Sequence, residues 1–119
     1  MGRRLLFVFR NGPHGSSSAR EGLEAALAAL AFEHRVDALF LGEGVLVLKA
    51  GQDTAPAGVK DFAPGFGALR HHGLERAVVS ASGMQALGLE KAALTMPVDL
   101  LPDAALADWI AEHDAVLSF

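Results

Sequence analysis

Leu5-Leu6-Phe7-Val8-Phe9, closed by Asn11-Gly12-Pro13, is an unbroken apolar run that ends in turn-forming residues. A strand with one wet face would alternate; this run does not, so it reads as a central, parallel strand covered on both faces. Working outward, Ser18 opens a Ser-x-x-Glu capping box with Glu21, in which hydroxyl and carboxylate satisfy free backbone amides. Leu23, Ala26, Leu27 and Leu30 then recur at helical spacing, which predicts a helix from about Ala19 to Glu33. Val36 to Leu41 reads as a second strand, and a strand, helix, strand unit is right-handed in nearly all folds.

The rest of the chain continues the alternation. Gly42-Glu43-Gly44 with Val45-Leu46-Val47-Leu48 fits either a hairpin or a short helix. Gly51 to Gly58, carrying Pro56, is a loop too short to separate domains. Asp61 to His72 reads as a helix, with Pro64 tolerated only in its first turn, Gly65 and Gly67 weakening it, and Gly73 closing it. Ala77 to Ser80 is a third strand, followed by a short helix from Ala81 to Leu87 that Gly88 ends. Leu94 to Leu100 holds a fourth strand, which Pro97 confines to a strand end or a sheet edge. Pro102 suits a first helical position, Leu106, Trp109 and Ile110 share one face of a helix to about Glu112, and Ala115 to Phe119 closes the chain as a fifth strand. The expected fold is α/β: a single domain over residues 1–119, a three-layer sandwich whose five-stranded, mainly parallel sheet carries helices on both faces in flavodoxin-like layering.

Composition narrows the function. Hydrophobic residues make up 51% of the 119 and charged residues 20%, too apolar for disorder and apolar enough to expect some surface to meet a partner. A net charge of −4 with ten scattered Lys and Arg argues against this chain gripping a phosphate backbone, so direct tRNA binding is not expected. No stretch approaches the ~20 apolar residues of a membrane helix and the start lacks a secretory leader, so the expected location is cytoplasmic and away from membranes. The chain has no cysteine at all, hence no disulfide, no thiolate metal site and no persulfide of its own.

In such a sheet, function sits beyond the carboxyl ends of the strands. The turn from Asn11 to Ser18 is rich in Gly and Ser and leads into a helix, where amides can hold an anion, although Gly12 and Gly15 also serve the turn and Ser18 the cap. It carries no Walker pattern, and Gly42-x-Gly44-x-x-Val47 lacks the third glycine of a dinucleotide fingerprint. His14 titrates near neutrality and could carry a proton; a turn-fixed surface or interface histidine is the plainer reading. His71 and His72 point about 100° apart on a helix, unlike an i, i+4 metal pair, and His34 and His113 sit where a cation meets terminal carbonyls. Ser80 and Ser82 follow a strand but lack the GxSxG elbow, so a capping serine is the simpler account, and a serine hydrolase would need a histidine within reach of one of them. Phe62, Phe66 and Trp109 read as core or interface residues before they read as stacking platforms. No metal and no cofactor are expected.

Pro13-His14-Gly15 followed by Arg20-Glu21-Gly22-Leu23-Glu24-Ala25, the Lys60-Asp61-Phe62 helix start, the segment from Val78 to Leu89 and the closing His113-Asp114-Ala115-Val116-Leu117-Ser118-Phe119 together resemble the TusC/DsrF family. The resemblance covers nearly the whole chain and implies a DsrE/DsrF-like domain, with a short helix in the ambiguous segment from Val45 to Leu48. It implies a subunit of a TusBCD-type heterohexamer that passes persulfide sulfur towards 2-thiouridine at the tRNA wobble position, beside TusB-like and TusD-like partners and with an indirect link to a TusE-like acceptor. By the same resemblance Ser80 stands where the TusD-like paralogue carries its sulfur-bearing cysteine, eight residues before a glycine, here Gly88. A hydroxyl forms no persulfide, so the chain is expected to be noncatalytic alone, with His14 and Ser80 nearest any functional surface. The alternatives are a DsrF-type subunit of a DsrEFH assembly in sulfur oxidation and a flavodoxin-like mononucleotide-binding module using the Asn11 to Ser18 turn.

Overall fold

The computed structural model describes residues 2–12, 17–49 and 63–119. Five strands form one sheet: β1 (Arg4–Phe9), β2 (Arg35–Phe40), β3 (Arg76–Ser80), β4 (Asp99–Leu101) and β5 (Ala115–Ser118). Their order is β4-β3-β2-β1-β5 and every pairing is parallel, with Phe7 beside Ala38 and Leu117, and Val78 beside Leu39 and Asp99. Among the described residues four α-helices accompany them: α1 (Ser18–Ala31), α2 (Ala63–Gly67), α3 (Ala81–Ala86) and α4 (Asp103–Ala111).

The strand order fixes the layers. From β1 the chain steps in one direction through β2 and β3 to β4, then returns across the whole sheet to β5. Right-handed crossovers put the helices of the three forward steps on one face and that of the single return step, α4, on the other. The apolar clusters follow this division. Phe7, Phe9, Val36, Ala38, Phe40, Ala77 and Val79 pack with Leu23, Ala26, Val45, Phe66, Leu69 and Met84 on the crowded face. Leu6, Val8, Leu39 and Val78 pack with Leu106 and Trp109 on the other. Strand residues therefore alternate between two cores rather than between core and water, which is why β1 reads as a continuous apolar run.

On the crowded face Phe9 lies 5.1 Å from Phe40 in a stacked arrangement and 5.0 Å from Phe66 edge-on, while Phe119 stacks on Phe7 at 5.9 Å. Gly22 lets α1 approach this cluster, because a Cβ there would stand 2.5 Å from Phe9 Cε1 and 2.8 Å from Phe119 Cγ.

Several boundaries differ from expectation, each for a local reason. The residue capping α1 is Ser17, and Ser18 is already helical. Ser17 has φ −92° and ψ 0°, not the extended conformation from which a cap side chain reaches an amide, so its hydroxyl donates instead to Glu21 Oε1 at 3.1 Å and the expected capping box does not form. The helix ends at Ala31, with Glu33 in the left-handed region at φ 65°. Residues Gly42–Leu48 form a 3-10 helix, as the family resemblance implies, and the hairpin alternative fails. Val45, Val47 and Leu48 are all fully buried there, and Gly44 lies so close to the Phe9 carbonyl that a Cβ would overlap it. The helix expected from Asp61 is described from Ala63 and tightens after Gly67 into a 3-10 helix, Ala68–His72, that Gly73 closes at φ 107°. The fourth strand is shorter and later than expected. Residues Lys91–Ala93 are a 3-10 helix, Leu94 makes a lone antiparallel bridge with Lys49, and pairing begins only beyond Pro97, at an edge. Pro102 caps α4 rather than occupying its first turn. The expected loop from Gly51 to Gly58 lies outside the described residues.

Candidate functional site

The parallel sheet brings the turns after β1, β2, β3 and β4 to one edge. Gly42, at φ 52°, turns the chain out of β2, and the space beside Gly83 at the start of α3 opens onto the Gly42 amide, 3.7 Å from where a Cβ would stand. Ser80 ends β3 and caps α3: its Oγ accepts from the Gly83 amide at 3.1 Å, the capping role expected of it. The same hydroxyl donates to Asp103 Oδ1 at 3.1 Å and lies 3.0 Å from Ser82 Oγ. Ser82 in turn reaches both oxygens of Asp103, at 3.0 and 3.1 Å. Asp103 is the first residue of α4, so this cluster ties the end of β3, and through it the start of α3 on the crowded face, to the helix on the opposite face.

Ser80 is 5% exposed, its hydroxyl engaged on three sides. Among the described residues no histidine hydrogen-bonds to Ser80 or Ser82, and an aspartate alone does not complete a nucleophile-activating pair of the serine-histidine type. His14, the other expected surface residue, lies outside the described residues, as does Phe62.

A second feature of this edge is a cleft of about 440 Å³ lined by Arg10, Asn11, Ser18, Ser118 and Phe119. It lies at the ends of β1 and β5 beside the start of α1, two strands away from Ser80. The Arg10 amide donates to the Phe119 carbonyl at 2.8 Å, holding the end of the chain against it. Phe119 brings an aromatic ring to this cleft, but the ring is committed to Phe7 and Phe9.

The opposite, amino edge of the sheet carries a buried polar cluster that sequence reasoning missed. Asp37, 2% exposed in β2, accepts from His113 Nε2 at 2.7 Å and from the Arg4 guanidinium at 3.2 Å. Arg4 also reaches Glu112 at 3.6 Å, and its amide donates to Asp114 at 2.7 Å. The signal was a lone carboxylate inside the otherwise apolar Val36 to Leu41 run; its partner lies 76 residues later. Nearby, Arg76 pairs with Asp99 at 2.7 Å and lies 5.3 Å above the Trp109 ring. Trp109 and Phe66 are both buried in the core, as read. His71 and His72 are exposed on the 3-10 helix, and among the described residues no group of three or more His, Cys, Asp or Glu is placed to hold a metal ion. Among the described residues the clear electrostatic perturbation is at the surface: hydrogen bonding from Arg35 at 3.1 and 3.2 Å pulls the Glu75 carboxyl below its ordinary range and raises Arg35.

A wholly parallel five-stranded sheet, asymmetrically covered by helices on its two faces, makes this an α/β fold. The chain belongs to the DsrE/DsrF-like family, whose profile matches residues 3–119. It is 36% identical over 116 residues to the protein TusC homolog of Vibrio vulnificus (strain CMCP6), covering 98% of each chain. It is likewise 36% identical over 118 residues to the protein TusC homolog of Pseudomonas aeruginosa, covering 99% of each. Among solved structures, the ychN protein of E. coli superposes with a TM-score of 0.83 at 20% identity, over 98% of this chain and 99% of that one. Protein MTH1491 of Methanobacterium thermoautotrophicum follows with a TM-score of 0.74 at 16% identity, over 98% and 99%. These two likenesses establish the fold alone. No helix among the described residues is long and apolar enough to cross a membrane.

Proposed function

We propose that this chain is the TusC-type subunit of a TusBCD-type sulfur-relay assembly, noncatalytic by itself, in which sulfur bound for the 2-thiolation of wobble uridine travels on a partner's thiol. The observation that carries the reading is the conjunction of TusC relatives matching end to end with a sequence that has no cysteine. A persulfide needs a thiolate that attacks and is attacked in turn, and a hydroxyl does neither near neutral pH. Ser80 is a cap and a clasp, and its surroundings suit that role: a carboxylate 3.1 Å away opposes any anion at this point.

The subunit's part is then to hold TusB-like and TusD-like partners in register, in the cytoplasm, with the edge bearing Ser80 turned towards the partner's cysteine. Apolar side chains left in water support contact with partners. Phe32 is 78% exposed at the end of α1, and Val116 and Leu117 lie open on β5. Purified alone and offered a persulfide donor carrying radiolabelled sulfur, the chain should take up no label, while deletion of its gene should lower wobble thiolation. Covalent label on the isolated chain contradicts the reading.

A further inference from the structure

We propose that the open edge of β5 is a self-association surface, on which a second copy of this chain lays its own β5 antiparallel and joins the two sheets into one. β5 is the outermost strand on its side and, among the described residues, pairs with β1 alone. Phe119, just past its end, turns both backbone groups to β1: its amide donates to the Val8 carbonyl and its carbonyl accepts from the Arg10 amide, each at 2.8 Å. Strand residues repeat with a period of two, so Leu117 does the same, while Val116 and Ser118 turn their N–H and C=O outward. Such an edge templates another strand unless something blunts it. Ala115–Ser118 holds no proline and no charge. Val116 lies beside Leu6 and Leu117 beside Phe7, hence on opposite faces, and both are exposed, so neither helix layer closes over the strand.

Register and charge single out a second copy as the occupant. A twofold axis through Leu117 sets Val116 of each copy opposite Ser118 of the other, and Leu117 opposite its own counterpart. The outward backbone groups then meet as two hydrogen-bonded pairs, and the leucines form the close, non-bonded pair between them. The same register aligns opposite charges, because antiparallel strands bring the amino edge of one sheet beside the carboxyl edge of the other. Asp114, exposed and one residue before β5, comes opposite the position just past Phe119 of the second copy. There Arg10 stands one strand inward, sharing the cleft at the end of β5 with Ser118. It is exposed and has no ion pair among the described residues. One strand spacing, about 4.8 Å, is within reach of an arginine side chain. Arg10 continues the alternation of Leu6 and Val8, and Asp114 that of Val116, so both belong to the α4 face. The twofold makes this match at both ends, so the edge is complementary to itself. The contact involves none of the paralogous partners and goes beyond the sulfur-relay reading.

The chain has no cysteine, so single cysteines report the contact without background. Under mild oxidation Leu117→Cys should give a disulfide-linked dimer, since facing Cβ atoms of a non-bonded antiparallel pair lie near disulfide distance. Val116→Cys and Ser118→Cys, each opposite a different residue, should cross-link at least about tenfold more slowly alone, and to one another when mixed. In sedimentation the unsubstituted chain should dimerise at high micromolar concentration, as expected of a short edge contact. Arg10→Glu should raise the dissociation constant several-fold at low salt and little at high salt, with the melting of the dilute chain unchanged. An unsubstituted chain that stays monomeric at every concentration overturns the proposal, leaving β5 to some other protein. So does a dimer in which Leu117→Cys cross-links no faster than Val116→Cys or Ser118→Cys. Sedimentation of the unsubstituted chain needs no variant, so a substitution that fails to fold leaves the test intact.

Discussion

At the scale of single residues, Ser80 shows how a strand end can be occupied without being reactive. Its Oγ takes the Gly83 amide and gives its proton to Asp103, so the position is satisfied on both sides and 5% exposed. A thiol placed there would meet the Asp103 carboxylate, which disfavours the thiolate. Ser80→Cys should accordingly alkylate slowly with iodoacetamide, and Ser80→Cys with Asp103→Asn several-fold faster; equal rates would show that Asp103 exerts no such control. The cap itself was legible, since a serine between a β-branched run and Ala81-Ser82-Gly83 has an ordinary reason to be there. Asp103 as its partner was not, being brought in by the strand-to-helix turn 23 residues on. Asp37 and His113 were illegible for the same reason: single-residue signals name a group, and only the sheet's closure says what it faces. At the surface, Arg35 holds the Glu75 carboxyl below its ordinary range. A carboxyl lowered on folding contributes stability at pH above its unfolded value and loses it as pH falls through the folded value. The pair is exposed, so the contribution is small and salt-screened, and Glu75→Gln should remove that part of the acid-side slope in low-salt thermal melts with little effect in high salt.

At the scale of elements, periodicity identified strands and helices well where burial is one-sided or complete, and failed where a turn decides. The β1 run and the α1 stripe were readable because their spacing is set by the core they face. The 3-10 helix Gly42–Leu48 was not readable from spacing, since a compact helix buried nearly all round and a β-branched hairpin strand have the same composition. What settles it is the approach of Gly44 to the Phe9 carbonyl, backbone against side-chain position, with no flexible atom to give way. Gly44→Ala should therefore lower the urea midpoint by an amount equivalent to about 1–3 kcal/mol or more, with the slope unchanged. An unaffected midpoint would mean that this helix can shift away from β1 at no cost.

At the scale of the whole molecule, one strand order explains the unequal covering. Three forward crossovers build the Phe9-centred core, and the single return crossover leaves α4 alone among the described helices on the other side. The two sheet edges also differ. β4 is three residues long, flanked by Pro97 and Pro102 and charged at Asp99, the usual protections of an edge. β5 is Ala-Val-Leu-Ser, without proline or charge, and Val116 and Leu117 are exposed on it. The composition had implied that some apolar surface would stand open; that Val116 and Leu117 do so could emerge only once β5 was seen at an edge. The central claim is that the chain works as a cysteine-free member of an assembly of small paralogues. Native mass spectrometry of the tagged chain, purified from its own cells, tests this most directly. The account predicts a hexameric mass containing two further small subunits, one of which carries a labile sulfur adduct on cysteine. A lone monomer, with no paralogue bound and wobble thiolation intact in cells lacking the chain, would contradict it.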